Sequence, residues 1–171
     1  RAQLTGQFWA EPSDASATLL YDVVGESWDG DVVAALGLNQ ELLAPLLGAA
    51  GRRAGELLPR PAGELGLRPG IPVAAGAADT AAAALGSGLV DLGSAQLTIG
   101  TGAQVVTPTS PPTPESVQGL DPVTHLYRSA TDAGWYSMAA VLNGGLALDW
   151  VRRLLDASWA ELYATAATPP S

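Results

Sequence analysis

At 171 residues the chain is long enough for one ordinary domain or for parts of two. Its net charge is −9 and every cation is arginine, which argues against nucleic acid or an anionic membrane surface as the main partner, since both need clustered cations. Cysteine is absent and histidine occurs once; that removes disulfides and thiol catalysis, argues against a zinc site, and fits a cytoplasmic protein.

A hydrophobic fraction of 47% supports a packed core. No apolar run is long enough to cross a bilayer, because Gly86 and Gly88 interrupt the alanine-rich segment, and no signal-peptide pattern opens the chain. With Arg1 rather than Met at its head, the chain is expected to lack its natural beginning.

In chain order, residues 1–23 predict a strand or loop and then a short helix capped by Ser13 or Asp14. "SWDGDVVAALGL" predicts a helix with Val32, Val33 and Leu36 on one face and Gly37 as its stop. "NQELLAPLLGAAG" predicts a second helix, capped by Asn39 and shortened or bent by Pro45. The doublets Arg52–Arg53 and Arg152–Arg153 are each expected at a helix end. "LRPGIPVAAGA" gives a Pro-Gly turn and a short strand of the kind buried on both faces.

"TAAAALGSG" favours helix by propensity, and "SAQLTIGTGAQVVTPT" reads as two strands around a glycine turn. "SPPTPESVQGLDP" is a proline-rich loop, and "HLYRSATDAGWYSMAAV" a further hairpin. "NGGLALDWVRRLL" predicts a helix with Leu146, Trp150 and Leu154 four apart. Ser158 and Glu161 form a capping box, and "ATPPS" reads as loop. The five tryptophans are expected as core or boundary anchors. Strands alternate with helices, so the class is α/β. The glycine-rich "GSGLVDLG" marks a boundary between parts of two domains, residues 1–88 and 89–171.

Three stretches carry candidate chemistry. Asp79 is a lone carboxylate among small apolar residues, between a strand and a helix start whose partial positive charge favours its ionised form. It could accept a proton from a substrate hydroxyl or help position a metal; it could equally be the cap of the alanine-rich helix. In "TIGTGA", Gly100 and Gly102 flank Thr101, so backbone amides and a hydroxyl could hold a phosphate, or the three residues could form a plain hairpin turn. Gly144 and Gly145 at a helix start could admit a phosphate or nucleotide ring, or serve close helix packing. No Walker A or G-x-G-x-x-G motif occurs. The absence of G-x-S-x-G argues against a Ser-His-Asp hydrolase, and His125 reads as a surface or strand residue.

The order and spacing of these stretches resemble the FGGY carbohydrate kinases, with the xylulose kinases the most similar group. The resemblance runs from "SDASATLLYDVVGESWDGDVVAALGL" through "GIPVAAGAADTAAAALGSGLVDLGSAQLTIGTGAQVV" to "GWYSMAAVLNGGLALDWVRRLL". It implies an actin-like, ribonuclease H-like ATPase fold, with 1–88 as the end of a sugar-binding first domain and 89–171 as the start of a nucleotide-binding second one. It implies ATP with Mg²⁺, a small sugar substrate, and phosphorylation of D-xylulose to D-xylulose 5-phosphate. Asp79 would be the base, Gly100, Thr101 and Gly102 the phosphate-binding turn facing it from the other domain, and Gly145 and Asp149 nucleotide-binding positions. A homodimer stays open. Ribulose, gluconate or glycerol are alternative substrates, and a non-catalytic binding protein of the same fold is an alternative class. Relatives carry a Gly-Gly-Asp-Asn-like pattern around the base; here Ala78 precedes and Thr80 follows the acid. The chain would be the middle of a kinase, inactive as an isolated piece.

Overall fold

The computed structural model of the chain describes residues 1–118 and 124–167. The first segment holds helices α1 (Ala2–Thr5) and α2 (Pro12–Ala15), then a two-stranded ribbon of β1 (Tyr21–Asp22) and β2 (Ser27–Trp28). Helix α2 starts two residues earlier than the nearer predicted cap, Ser13, allows. Glu11 is its N-cap, its carboxylate accepting from the amides of Ser13 and Asp14, while Pro12 occupies the first turn, where no amide partner is needed.

Helix α3 (Gly30–Ala35) is capped by Asp29 and followed by the predicted stop, Gly37 at φ 65°; of the predicted face Val33 is buried and Leu36 is exposed. The next predicted helix does not form. Asn39 caps only a single 3₁₀ turn, Gln40–Leu42, because the chain around Pro45 is captured by the first segment: Ala10 donates to the Pro45 carbonyl at 3.0 Å and Leu47 to the Ala10 carbonyl at 2.8 Å. With that helix gone, Arg52–Arg53 lies at the start of a strand rather than at a helix end.

That strand, β3 (Arg53–Glu56), pairs antiparallel with β4 (Pro72–Ala74) across α4 (Pro59–Leu65). The expectation of a strand buried on both faces fails for β4, whose Pro72 and Ala74 are exposed. In a two-stranded ribbon β4 has a neighbour on one edge only, and the burial falls on its partner, where Ala54 is shielded. Helix α5 (Asp79–Gly86) follows, and residues 87–95 then run without helix or strand into the main sheet.

The sheet contains β5 (Gln96–Ile99), β6 (Ala103–Thr109), β7 (Thr124–Arg128) and β8 (Trp135–Val141) in the order β5-β6-β8-β7, every pair antiparallel. Both predicted hairpins are present. The proline-rich loop contains a short helix, α6 (Pro114–Val117), capped by Thr113; its residues 119–123 lie outside the described residues, as do 168–171 of the predicted terminal loop. Helices α7 (Gly145–Leu154) and α8 (Trp159–Ala166) close the chain, α8 carrying the predicted Ser158–Glu161 capping box.

Adjacent residues of a strand point to opposite faces, and Trp135 and Tyr136 use this to build two cores. Trp135 packs with Ala15 and Tyr21, so α2 and the β1–β2 ribbon cover one face. Tyr136 packs with Val106 and Ala81, so α5 covers the other. Val106 is 1% exposed, and full burial of such a side chain contributes about 1.5–3 kcal/mol. Small residues let α5 approach closely, and Ala81 and Ala84 are its buried positions. Not every tryptophan is an anchor: Trp150 on α7 is 64% exposed, with Leu146 and Leu154 of the same stripe also exposed. Among the described residues, no helix is long and apolar enough to cross a membrane.

Candidate functional site

Asp79 is the first residue of α5 rather than its cap. The N-cap is Ala78, which has no side chain to offer, and Asp79 turns onto its neighbour instead: its Oδ1 accepts from the Thr80 amide at 2.6 Å and from the Thr80 hydroxyl at 3.4 Å. The carboxylate is exposed, at the positive end of the helix. Thr80, where an Asn-like residue stands in the resembled pattern, therefore spends its polar groups on the acid. Asp79 also lies within electrostatic reach of Tyr136. Burial first, then the charges of Tyr127, Asp79 and Glu11, push the Tyr136 phenol above its ordinary range.

The Ala77–Ala78 peptide, one residue ahead of Asp79, is held from a distant part of the sequence. The Ala78 amide donates to the Ser13 hydroxyl at 2.9 Å, and that hydroxyl donates to Glu11 Oε1 at 2.6 Å. Ser13 and Glu11 are buried. Glu11 was not singled out in the sequence, and Ser13 only as a cap. The one signal was their place just ahead of a short helix; their link to residue 78 leaves no local trace.

Gly100, Thr101 and Gly102 are the three-residue tip of the β5–β6 hairpin, with the Gly100 amide donating to the Gly102 carbonyl at 2.8 Å. The tip borders an open groove of about 420 Å³ whose polar side chains are Thr98, Thr101 and Gln104. Hydroxyls, a primary amide and a glycine backbone are a donor set suited to a phosphate.

The structure brings Gly145 to this tip. Its amide donates to the Gly100 carbonyl at 2.8 Å, and Leu146 donates to the Thr101 carbonyl at 3.2 Å. A Cβ on Gly145 would sit 2.4 Å from the Gly100 oxygen, and one on Gly144 2.5 Å from the Gly102 carbonyl carbon. Close backbone packing thus accounts for both glycines, and the first amides of α7 point at the hairpin. Asp149, one turn along, binds Arg152 at 2.9 Å and Arg153 at 2.7 Å. The Arg152 hydrogen bond, followed by Arg153, holds its carboxyl below the usual carboxylate range.

Asp79 does not line the hairpin groove. Tyr136 stands opposite Pro108 on β6, and the tip adjoins Ala103, roughly 17 Å along the strand at the usual rise per residue. Among the described residues, no group of three or more His, Cys, Asp or Glu side chains could hold a metal ion.

Comparison with known proteins matches residues 1–86 to the N-terminal domain of the FGGY family of carbohydrate kinases. The chain is 29% identical over 153 residues to the xylulose kinase of Bacillus subtilis (strain 168), covering 90% of this chain and 30% of that protein. It is 32% identical over 160 residues to the xylulose kinase of Escherichia coli (strain K12), covering 92% and 31%. Among solved structures, the xylulose kinase from Rhodospirillum rubrum superposes with a TM-score of 0.84 at 26% identity, covering 99% of this chain and 34% of that one. The fold is that of the actin-like, ribonuclease H-like ATPases. The chain spans about a third of the length of these relatives.

Proposed function

Since the chain belongs to the FGGY family of carbohydrate kinases, we propose that it is the central part of an ATP-dependent sugar kinase whose preferred substrate is D-xylulose, phosphorylated to D-xylulose 5-phosphate. Residues 1–88 then belong to the first domain and 89–171 to the second. The observation that carries this reading is the setting of Asp79: a lone exposed carboxylate at the start of an alanine-rich helix, with the amide of the residue before it held by a buried pair.

Phosphoryl transfer asks a protein mainly for positioning and charge stabilisation. Asp79 accepts the proton of the sugar hydroxyl as its oxygen bonds to the γ-phosphorus of ATP and the bond to the bridging β–γ oxygen breaks, releasing ADP. Thr101 and the backbone of Gly100 and Gly102 hold the phosphates, while Gly145 and Asp149 sit on the nucleotide side. The donors around the groove fit a phosphate but build no metal cage, so Mg²⁺ would arrive with the phosphates. Domain closure around the reactants would exclude water as a competing acceptor.

The test is a panel of D-xylulose, ribulose, gluconate and glycerol with ATP, using the full-length protein from which the chain derives. D-xylulose is expected to give the highest kcat/KM, and Asp79→Asn to lower kcat at least ~100-fold with Tm unchanged. An Asp79→Asn protein that turns over its best sugar at the normal rate overturns the base assignment. Preference for another substrate overturns the choice of xylulose.

A further inference from the structure

We propose that Glu11 and Ser13 are positioning residues for Asp79, setting the backbone from which the base projects; this rests on the reading of Asp79 as the base. The logic lies in what a hydroxyl can do. Serine has one hydrogen to give and lone pairs to receive. Glu11 Oε1 takes that hydrogen at 2.6 Å, so the hydroxyl rotor is fixed and a lone pair is presented to the Ala78 amide at 2.9 Å. Glu11 is itself fixed, accepting from the Ser13 amide at 2.9 Å through Oε2 and from the Asp14 amide at 2.7 Å through Oε1.

Ser13 is 1% exposed and Glu11 4%. A buried carboxylate is retained only where its oxygens are satisfied, and here every donor it receives belongs to the turn that carries Ser13. The far end of the relay is the Ala78 amide, in the peptide joining Ala77 to Ala78. Helix α5 cannot hold that amide itself, because its third residue, Ala81, has no side-chain acceptor to reach back to it. Ser16, on the same turn, donates to the Ser13 carbonyl at 3.0 Å and accepts from the Arg128 amide at 3.2 Å. The short helix α2 therefore braces the approach to Asp79 against strand β7 of the main sheet.

The experiment is a double-mutant cycle in the full-length protein, with kcat, sugar KM and Tm measured for Ser13→Ala, Glu11→Gln, Asp79→Asn and the pair Ser13→Ala/Asp79→Asn. Glu11→Gln keeps the volume but sets an amide NH₂ against hydrogen-bond donors, so it breaks the relay at the end opposite Ala78 and decides the matter if Ser13→Ala does not fold. Ser13→Ala and Glu11→Gln are each expected to lower kcat roughly tenfold, with sugar KM within about twofold. In the Asp79→Asn background Ser13→Ala should remove nothing further, because it acts only through the base. An unchanged kcat in Ser13→Ala, or an equal loss with and without Asp79, overturns the proposal. Full activity in Asp79→Asn overturns the base assignment instead, so the two failures are distinguishable.

Discussion

The Gly145 amide donates to the Gly100 carbonyl across 2.8 Å, joining the start of α7 to the tip of the β5–β6 hairpin. Neither residue carries a side chain, and the contact is backbone against backbone. A Cβ at position 145 would lie 2.4 Å from the Gly100 oxygen, and an oxygen fixed in a peptide plane cannot swing aside. Gly145→Ala is therefore expected to cost about 2–4 kcal/mol of stability, read from urea or thermal unfolding. An unchanged midpoint would mean that the helix start slides freely on the hairpin.

Thr101 tests the same hairpin without disturbing its packing, since its side chain is exposed. A hydroxyl bonded to a charged phosphate is worth about 1.5–3 kcal/mol, so Thr101→Ala in the full-length protein is expected to raise the KM for ATP at least about tenfold, with Tm shifted by no more than about 2 °C. Unchanged ATP kinetics would remove Thr101 from the phosphate site.

Alkaline pH probes the two cores. Burial, reinforced by the nearby charge of Glu26, pushes the Tyr21 phenol up to about 12, from an ordinary value of 10.0. The unfolded chain releases that proton first, so Tyr21 contributes stability that is whole below pH 10 and is lost as pH climbs towards 12. Tyr136 is shifted in the same direction. Tyr21→Phe is expected to flatten the decline in unfolding midpoint over this window. At neutral pH it should cost nothing, because the Tyr21 hydroxyl is buried without a hydrogen-bond partner. A decline of the same slope in the variant would assign the effect to other groups.

What could be read from the sequence was local. The Gly100–Gly102 turn, the Ser158–Glu161 box and α7 each carry their signal within a dozen residues. The segment after Asn39 has helical composition, yet its outcome is set by Ala10, which pairs with it across 35 intervening residues. The strand β4 looked buried because its composition is apolar, but composition does not say how many strands or layers surround it. The same limit applies at the candidate site. Asp79 stood out by isolation, and Thr101 by its glycines, while the brace from Ser13 to Ala78 spans 65 positions and has no periodicity or motif to betray it.

The contact between Gly102 and Gly144 bears on how this chain can change over generations. A Cβ at position 144 would meet the Gly102 carbonyl, and one at position 102 would meet the Val141 oxygen. Both obstacles are peptide atoms that every residue carries, so no exchange of side chains elsewhere can relieve them. An enlarged residue survives at either position only where the opposing backbone has already moved away, and descendants of this sequence should keep both glycines.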